Sequence, residues 1–333
     1  MKTFVRALTL ALMSGVTAEF LLGDQYLQGL VPVGQQLGML ALYTTFYGSA
    51  AVLIREVTRR TGRGWPTLLL LAFAFGVFEE GVVDQSLFNP DFAGLRLLDY
   101  GHIPGLGTAG PWAVFVLTLH VIWSIGAPVA VGEALFPEPL PDRPAVSPQV
   151  QGPWLGRLGI IVCVLGYLLG AVAIYFATVV AIDFRARPLQ LILSVLLAAA
   201  AVVVALRLRP RPPQAPSSPW PAVAIAFGLT TVFQVTEHYL PPYLPAVVTT
   251  LILLLVLAVG VVAVVRLRLD TLGLAAGAIL TYGWIGLIKT PALGPVAVIE
   301  QTGLVLVALA VLALALVRHR RLVGAERSTV SVG

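Results

Sequence analysis

Charge is what this chain is short of. Asp, Glu, Lys and Arg make up 11% of its 333 residues, against about 25% in ordinary soluble domains. With hydrophobic residues at 58%, that excludes a water-soluble globular fold and predicts an all-α, polytopic integral membrane helix bundle. Cysteine is almost absent too. The single thiol, Cys163, lies in an apolar run, so it forms no intramolecular disulfide and offers no Cys-x-x-Cys metal pattern. The net charge of +5 is carried by short basic clusters at the ends of apolar runs. That is the topology signal of membrane proteins and not a nucleic-acid footprint, so the expected partner is the lipid bilayer and no nucleic acid.

Apolar runs of about 20 residues predict ten transmembrane spans, at 4–23, 35–54, 66–88, 111–135, 158–181, 188–206, 219–238, 243–265, 271–289 and 296–317. An even number puts both termini on one side. Cytoplasmic termini place every Lys and Arg on the inside except Arg96, Arg185, Arg187 and Lys289, the asymmetry that the positive-inside rule demands of a cell-membrane protein. The N-terminus, with Lys2 and Arg6 before an apolar run and Val16-Thr17-Ala18 as a cleavage-like triplet, also has the look of a secretory signal. Its continuation through Phe20-Leu21-Leu22 favours an uncleaved first helix.

One membrane domain over 1–325 is expected, with sub-bundles at 1–135, 156–207 and 219–318 and a short tail at 326–333. The Pro-rich stretches 136–155 and 208–219 read as extended cytoplasmic linkers with no packed core. The loop 89–110 is long and glycine-rich enough to be a lid or a plain flexible connection. Gly166-x-x-x-Gly170 and Gly273-x-x-x-Gly277 predict close helix contacts.

The informative residues are acids where lipid should be. Span 66–88 carries Glu79, Glu80 and Asp84, and an unpaired acid in hydrocarbon costs several kcal/mol unless it is neutralised or wetted. Glu80 and Asp84 are four apart, hence on one helical face. At 1.5 Å per residue, Glu79, His120 of the next span and Glu19 of the first come out in one layer nearer the outer surface, with Ser124 one turn from His120. Together, Glu19, Glu79, Glu80, Asp84, His120 and Ser124 predict an outward-facing polar cavity that binds or transports a cation, a proton or a small polar solute. Glu80 and His120 are candidate ligands of a divalent metal. The alternative is a hydrogen-bonded network that only ties helices together, as in a scaffold. Glu133 reads as interfacial, and Glu237, His238, Lys289 and Glu300 as solvated near the headgroups. Pro128 marks span four as broken.

The pair Glu79-Glu80 in one membrane helix, followed some forty residues later by His120 in the next, resembles the CPBP family of intramembrane proteases, which includes CAAX-processing enzymes and bacterial Abi proteins. That family's motifs are Glu-Glu-x-x-x-Arg, Phe-x-x-x-His and His-x-x-x-Asn/Asp. Here Asp84 stands in place of the arginine, Val116 stands four before His120, and His238 is followed four later by Pro242. The resemblance covers about residues 75–125. It implies a peptidase in which Glu79 or Glu80 is the general base and His120 a metal or substrate ligand, acting on a peptide.

Overall fold

The computed structural model describes residues 2–23, 32–137, 151–209 and 218–330. Among them the chain is helical apart from its loops and a two-residue hairpin, β1 (His102–Ile103) against β2 (Thr108–Ala109). Among the described residues nine helices are long and apolar enough to cross a membrane. In chain order the helices are α1 (Lys2–Glu19), α2 (Val33–Tyr43), α3 (Ser49–Arg60), α4 (Trp65–Phe78), α5 (Gly110–Leu119), α6 (Ala127–Leu135), α7 (Arg157–Tyr175), α8 (Pro188–Arg207), α9 (Pro219–Tyr239), α10 (Ala246–Leu267), α11 (Thr271–Lys289) and α12 (Pro295–Val330). Short π-helical segments join α2 to α3 (Thr44–Gly48) and α5 to α6 (His120–Gly126), and extend α4 (Glu79–Val83) and α7 (Phe176–Val180). The first expected span is α1, which is not among the nine membrane-length apolar helices; its 18 residues include three charges, Lys2, Arg6 and Glu19.

Burial sorts the helices. Two thirds or more of the apolar windows of α4 with its extension, α5–α6 and α11 are buried, whereas only 11% of those of α7 and α10 are. Polar lipid-facing backbone is excluded by the helical hydrogen bonding itself, so the Leu and Val faces of α7, α8, α10 and α12 meet the bilayer while α4, α5–α6 and α11 form the centre.

Both small-residue pairs are helix contacts. A Cβ on Gly277 would stand 2.5 Å from the Val223 carbonyl oxygen, and one on Gly273 2.3 Å from that of Pro219; α11 therefore lies against the α9 backbone. Gly170 likewise meets Phe46, and Gly166 meets Ser49. We expect Gly277→Val to separate α9 from α11 at a cost of about 1–3 kcal/mol, as overpacking does. Thermal unfolding in detergent checks this, and an unchanged midpoint would refute the close contact.

At the end of the bundle where α3 stops, Arg55, Glu56, Arg59 and Glu133 are buried. Arg59 grips Glu133 with two bonds, Nε to Oε1 and NH2 to Oε2, both 2.7 Å, while Arg55 Nε lies 3.1 Å from the same Oε1. Glu133 is 3% exposed, so it is a central ion-pair partner and not the interfacial residue its position in the sequence suggests. Span two runs on to Arg60, six residues beyond the boundary at 54, and this is what carries these arginines inside. The segment 151–155, expected to be an unpacked linker, is extended but buried at Gln151, Trp154 and Leu155. Glu56 accepts the Trp154 backbone N–H at 2.6 Å, Arg55 donates to the Gly152 carbonyl at 3.0 Å, and the Arg55 guanidinium lies 3.6 Å over the Trp154 ring. Residues 138–150 and 210–217 of the two expected linkers, and 331–333 of the expected tail, fall outside the described residues; α12 reaches Val330.

Candidate functional site

Glu79 follows Trp65 by fourteen residues and His120 precedes Leu135 by fifteen, so each stands about 20 Å along its helix from the basic end. The structure puts them in contact. His120 Nε2 lies 2.5 Å from Glu80 Oε1 and 2.8 Å from Glu79 Oε2. The imidazole can direct only one N–H, and Glu79 Oε2 is a buried acceptor with no hydrogen bond. All three side chains are 2–4% exposed. They form the one cluster of His, Cys, Asp or Glu among the described residues whose donor atoms converge closely enough to hold a metal ion.

The atoms of these side chains that point away from the centre are each held by a separate hydroxyl. Tyr47 donates to Glu79 Oε1 at 3.0 Å, Ser86 donates to Glu80 Oε2, and Ser124 Oγ lies 3.3 Å from His120 Nδ1. The His120 ring is stacked on Tyr47 and meets the edge of Phe75. Three convergent donors, each fixed from behind, are what a preorganised metal site requires, since outer partners set the tautomer and orientation of the ligands. On zinc, at about 2.0–2.1 Å from each donor, neighbouring ligands stand roughly 3.3 Å apart. The groups have to part by less than about 1 Å to admit such an ion. Two carboxylates and an imidazole suit a borderline divalent ion better than magnesium or calcium, which prefer all-oxygen sets.

Local sequence explains why the residues meet. Tyr47, Glu79, Glu80, His120 and Ser124 all come from π-helical segments, a distortion common at functional sites. One has a visible cause. Pro128 has no N–H and cannot serve the carbonyl four residues back, which is that of Ser124. That oxygen instead accepts from Ser14 of α1 at 2.6 Å, and the Trp123 carbonyl accepts from Thr17 at 2.7 Å. Gly76 permits the approach of α4 to His120, because a Cβ there would lie 2.9 Å from His120 Cβ.

The other expected site residues divide. The π-helical segment of Glu80 ends at Val83, and Asp84, next in the chain, stays beside Glu80, both acids being held by Ser86. Its Oδ1 accepts the Ser86 N–H at 3.0 Å, beside left-handed Gln85 (φ 61°). Glu19 closes α1, one turn beyond Gly15, whose missing Cβ would stand 2.8 Å from the Thr44 nitrogen, and so lies on the side of α1 that meets the Tyr47 segment. Glu300 pairs with Gln36 at 3.3 Å, and the His238 ring packs on Phe115; neither belongs to the cluster. Asp84, Val83 and Leu87 are 4–7% exposed, so the centre is enclosed by packed side chains and is not the wall of an open outward cavity. Tyr47 and Ser86 are additions that the sequence reading missed.

Comparison with curated proteins and with solved structures finds no match. The protease resemblance gains no support from these comparisons. A family model does match, over residues 8–320, and on that coverage the chain belongs to an uncharacterized membrane protein family.

Proposed function

We propose that this protein is a cell-membrane carrier that binds a divalent cation between Glu79, Glu80 and His120. The observation that supports this reading is the paired arrangement of inner donors and outer hydroxyls, with one oxygen of each glutamate converging on His120 Nε2. In lipid, two adjacent carboxylates need positive charge, and among the described residues His120 is the only cationic side chain that ion-pairs with them. A cation completes the balance. The centre is closed on both sides, as an occluded intermediate of a carrier has to be: the Asp84–Asn89 turn covers one side, and the Arg55–Arg59–Glu133 network seals the other. Contacts joining Arg63 to Leu206, Arg318 to Leu135 and Arg320 to Trp220 bring the basic ends of α3, α8 and α12 together with the ends of α6 and α9, which supports a cytoplasmic location for that end and for both chain termini.

The test is uptake. Purified protein in liposomes is expected to accumulate Mn²⁺ or Zn²⁺ faster than protein-free liposomes, with Glu80→Gln reduced to the protein-free rate. Wild-type uptake no faster than that background would end the carrier reading.

The same three residues support a second reading, a CPBP-like intramembrane hydrolase in which one glutamate acts as general base beside a bound metal. What favours it is the second carboxylate at the imidazole, a base left over once the ion has its ligands. Cleavage of a membrane-embedded peptide without ion uptake would select it.

A further inference from the structure

Away from the cation centre, at the basic end, a small enclosed space lies where α4, α6, α11, α12 and the 151–155 segment come together. It has room for a water-sized sphere of about 10 Å³, and its walls include Trp65, Ala130, Glu133, Gln151, Thr271 and His319. That is about the 10–15 Å³ needed to hold one water. Dry cavities in proteins have apolar walls, whereas polar ones with two to four free partners are wet. These walls are mixed, with Ala130, Ala134 and Leu272 standing among the polar groups, and the hydrogen bonding of two of those polar groups is incomplete. The Trp65 indole N–H is buried with no acceptor. His319, 3% exposed, has Nε2 3.1 Å from Asp270 Oδ2 but out of line for a hydrogen bond with it. An orphaned donor or acceptor in such a place is costly, and two around one void is more than packing has reason to retain.

We infer that this space holds one ordered water, which accepts the Trp65 N–H and bridges to Glu133 and His319. The occupant is water and not a metal ion. The one carboxylate on the wall is already taken by two arginines, which leaves no negative charge to recruit a cation. The bridge gives the Arg55–Arg59–Glu133 network a connection to α12 that no side chain provides directly. With Asp270 capping α11 through its bond from the Gly273 N–H at 2.8 Å, it makes the seal at this end a continuous polar joint of five helices and the buried segment. The inference is independent of what the Glu79–Glu80–His120 centre binds.

A structure at a resolution that shows ordered water tests it, on the wild-type protein and on Trp65→Phe. The wild type is expected to show a solvent peak about 2.7–3.2 Å from Trp65 Nε1, and the variant, lacking the donor, to show that peak weakened or gone. An empty cavity, or an indole N–H bonded directly to a protein acceptor, would overturn the inference. So would a peak equally strong in Trp65→Phe. If the variant does not fold, the wild-type map alone decides.

Discussion

Glu133→Ala is expected to destabilise the protein by about 3–5 kcal/mol, the cost of leaving a buried ion pair with one partner. Arg55 and Arg59 are 0% and 5% exposed, and Glu133 is the carboxylate they share. Arg55 also reaches Glu56 at 3.0 Å, but Glu56 already takes Arg60 and two backbone N–H groups, so it cannot neutralise both guanidinium groups. Removing Glu133 strands positive charge in a low-dielectric interior and loosens the seal. Glu133→Gln should be nearly as damaging, because the amide keeps the volume and loses the charge. Converting Arg59 and Glu133 together to Met and Leu should recover much of the loss, as apolar replacement of buried pairs often does. Unfolding in detergent measures all three. A Glu133→Ala midpoint shift no larger than that of an exposed substitution would show the network to be incidental.

The second large effect is at the cation centre. Glu80→Gln and His120→Ala are each expected to lower divalent-metal affinity by more than the roughly 10–100-fold that loss of an outer partner costs, since each removes a donor itself. Ser86→Ala, Ser124→Ala and Tyr47→Phe remove only the hydroxyls behind the donors and should fall within that range. The grading is what carries information. A centre that is merely helix glue gives no metal affinity to grade, and an effect of Tyr47→Phe as large as that of His120→Ala would mean the phenol is itself a ligand. Equilibrium binding of Zn²⁺ or Mn²⁺ to purified protein supplies the numbers.

The spans were legible because nothing but membrane rewards runs of about 20 apolar residues, and most boundaries fall within a few residues of the helices. The meeting of Glu79 with His120 was legible as well, since a constant rise per residue turns sequence position into depth. What could not be read were partners without a pattern. Tyr47 is one aromatic among many in a membrane helix, and Ser86 follows a turn that left-handed Gln85 creates. Glu80 and Asp84 do stay side by side, but through Ser86, which donates to both, a link that spacing alone does not show. Pro128 did announce the break in span four, although not that Ser14 would fill the vacated carbonyl. Glu133 was misjudged because a charge near a helix end is usually solvated. The signal available was Arg55 and Arg59 one turn apart on the neighbouring helix, facing inward on the same side.

The position of a bound ion is the most direct measure of the cation centre. Crystals or reconstituted protein loaded with Zn²⁺ or Mn²⁺ and examined by anomalous scattering should show one intramembrane peak, about 2.0–2.2 Å from His120 Nε2 and from one oxygen each of Glu79 and Glu80. A map with no ion among those three side chains, or with the ion only at surface groups such as His102, would contradict it.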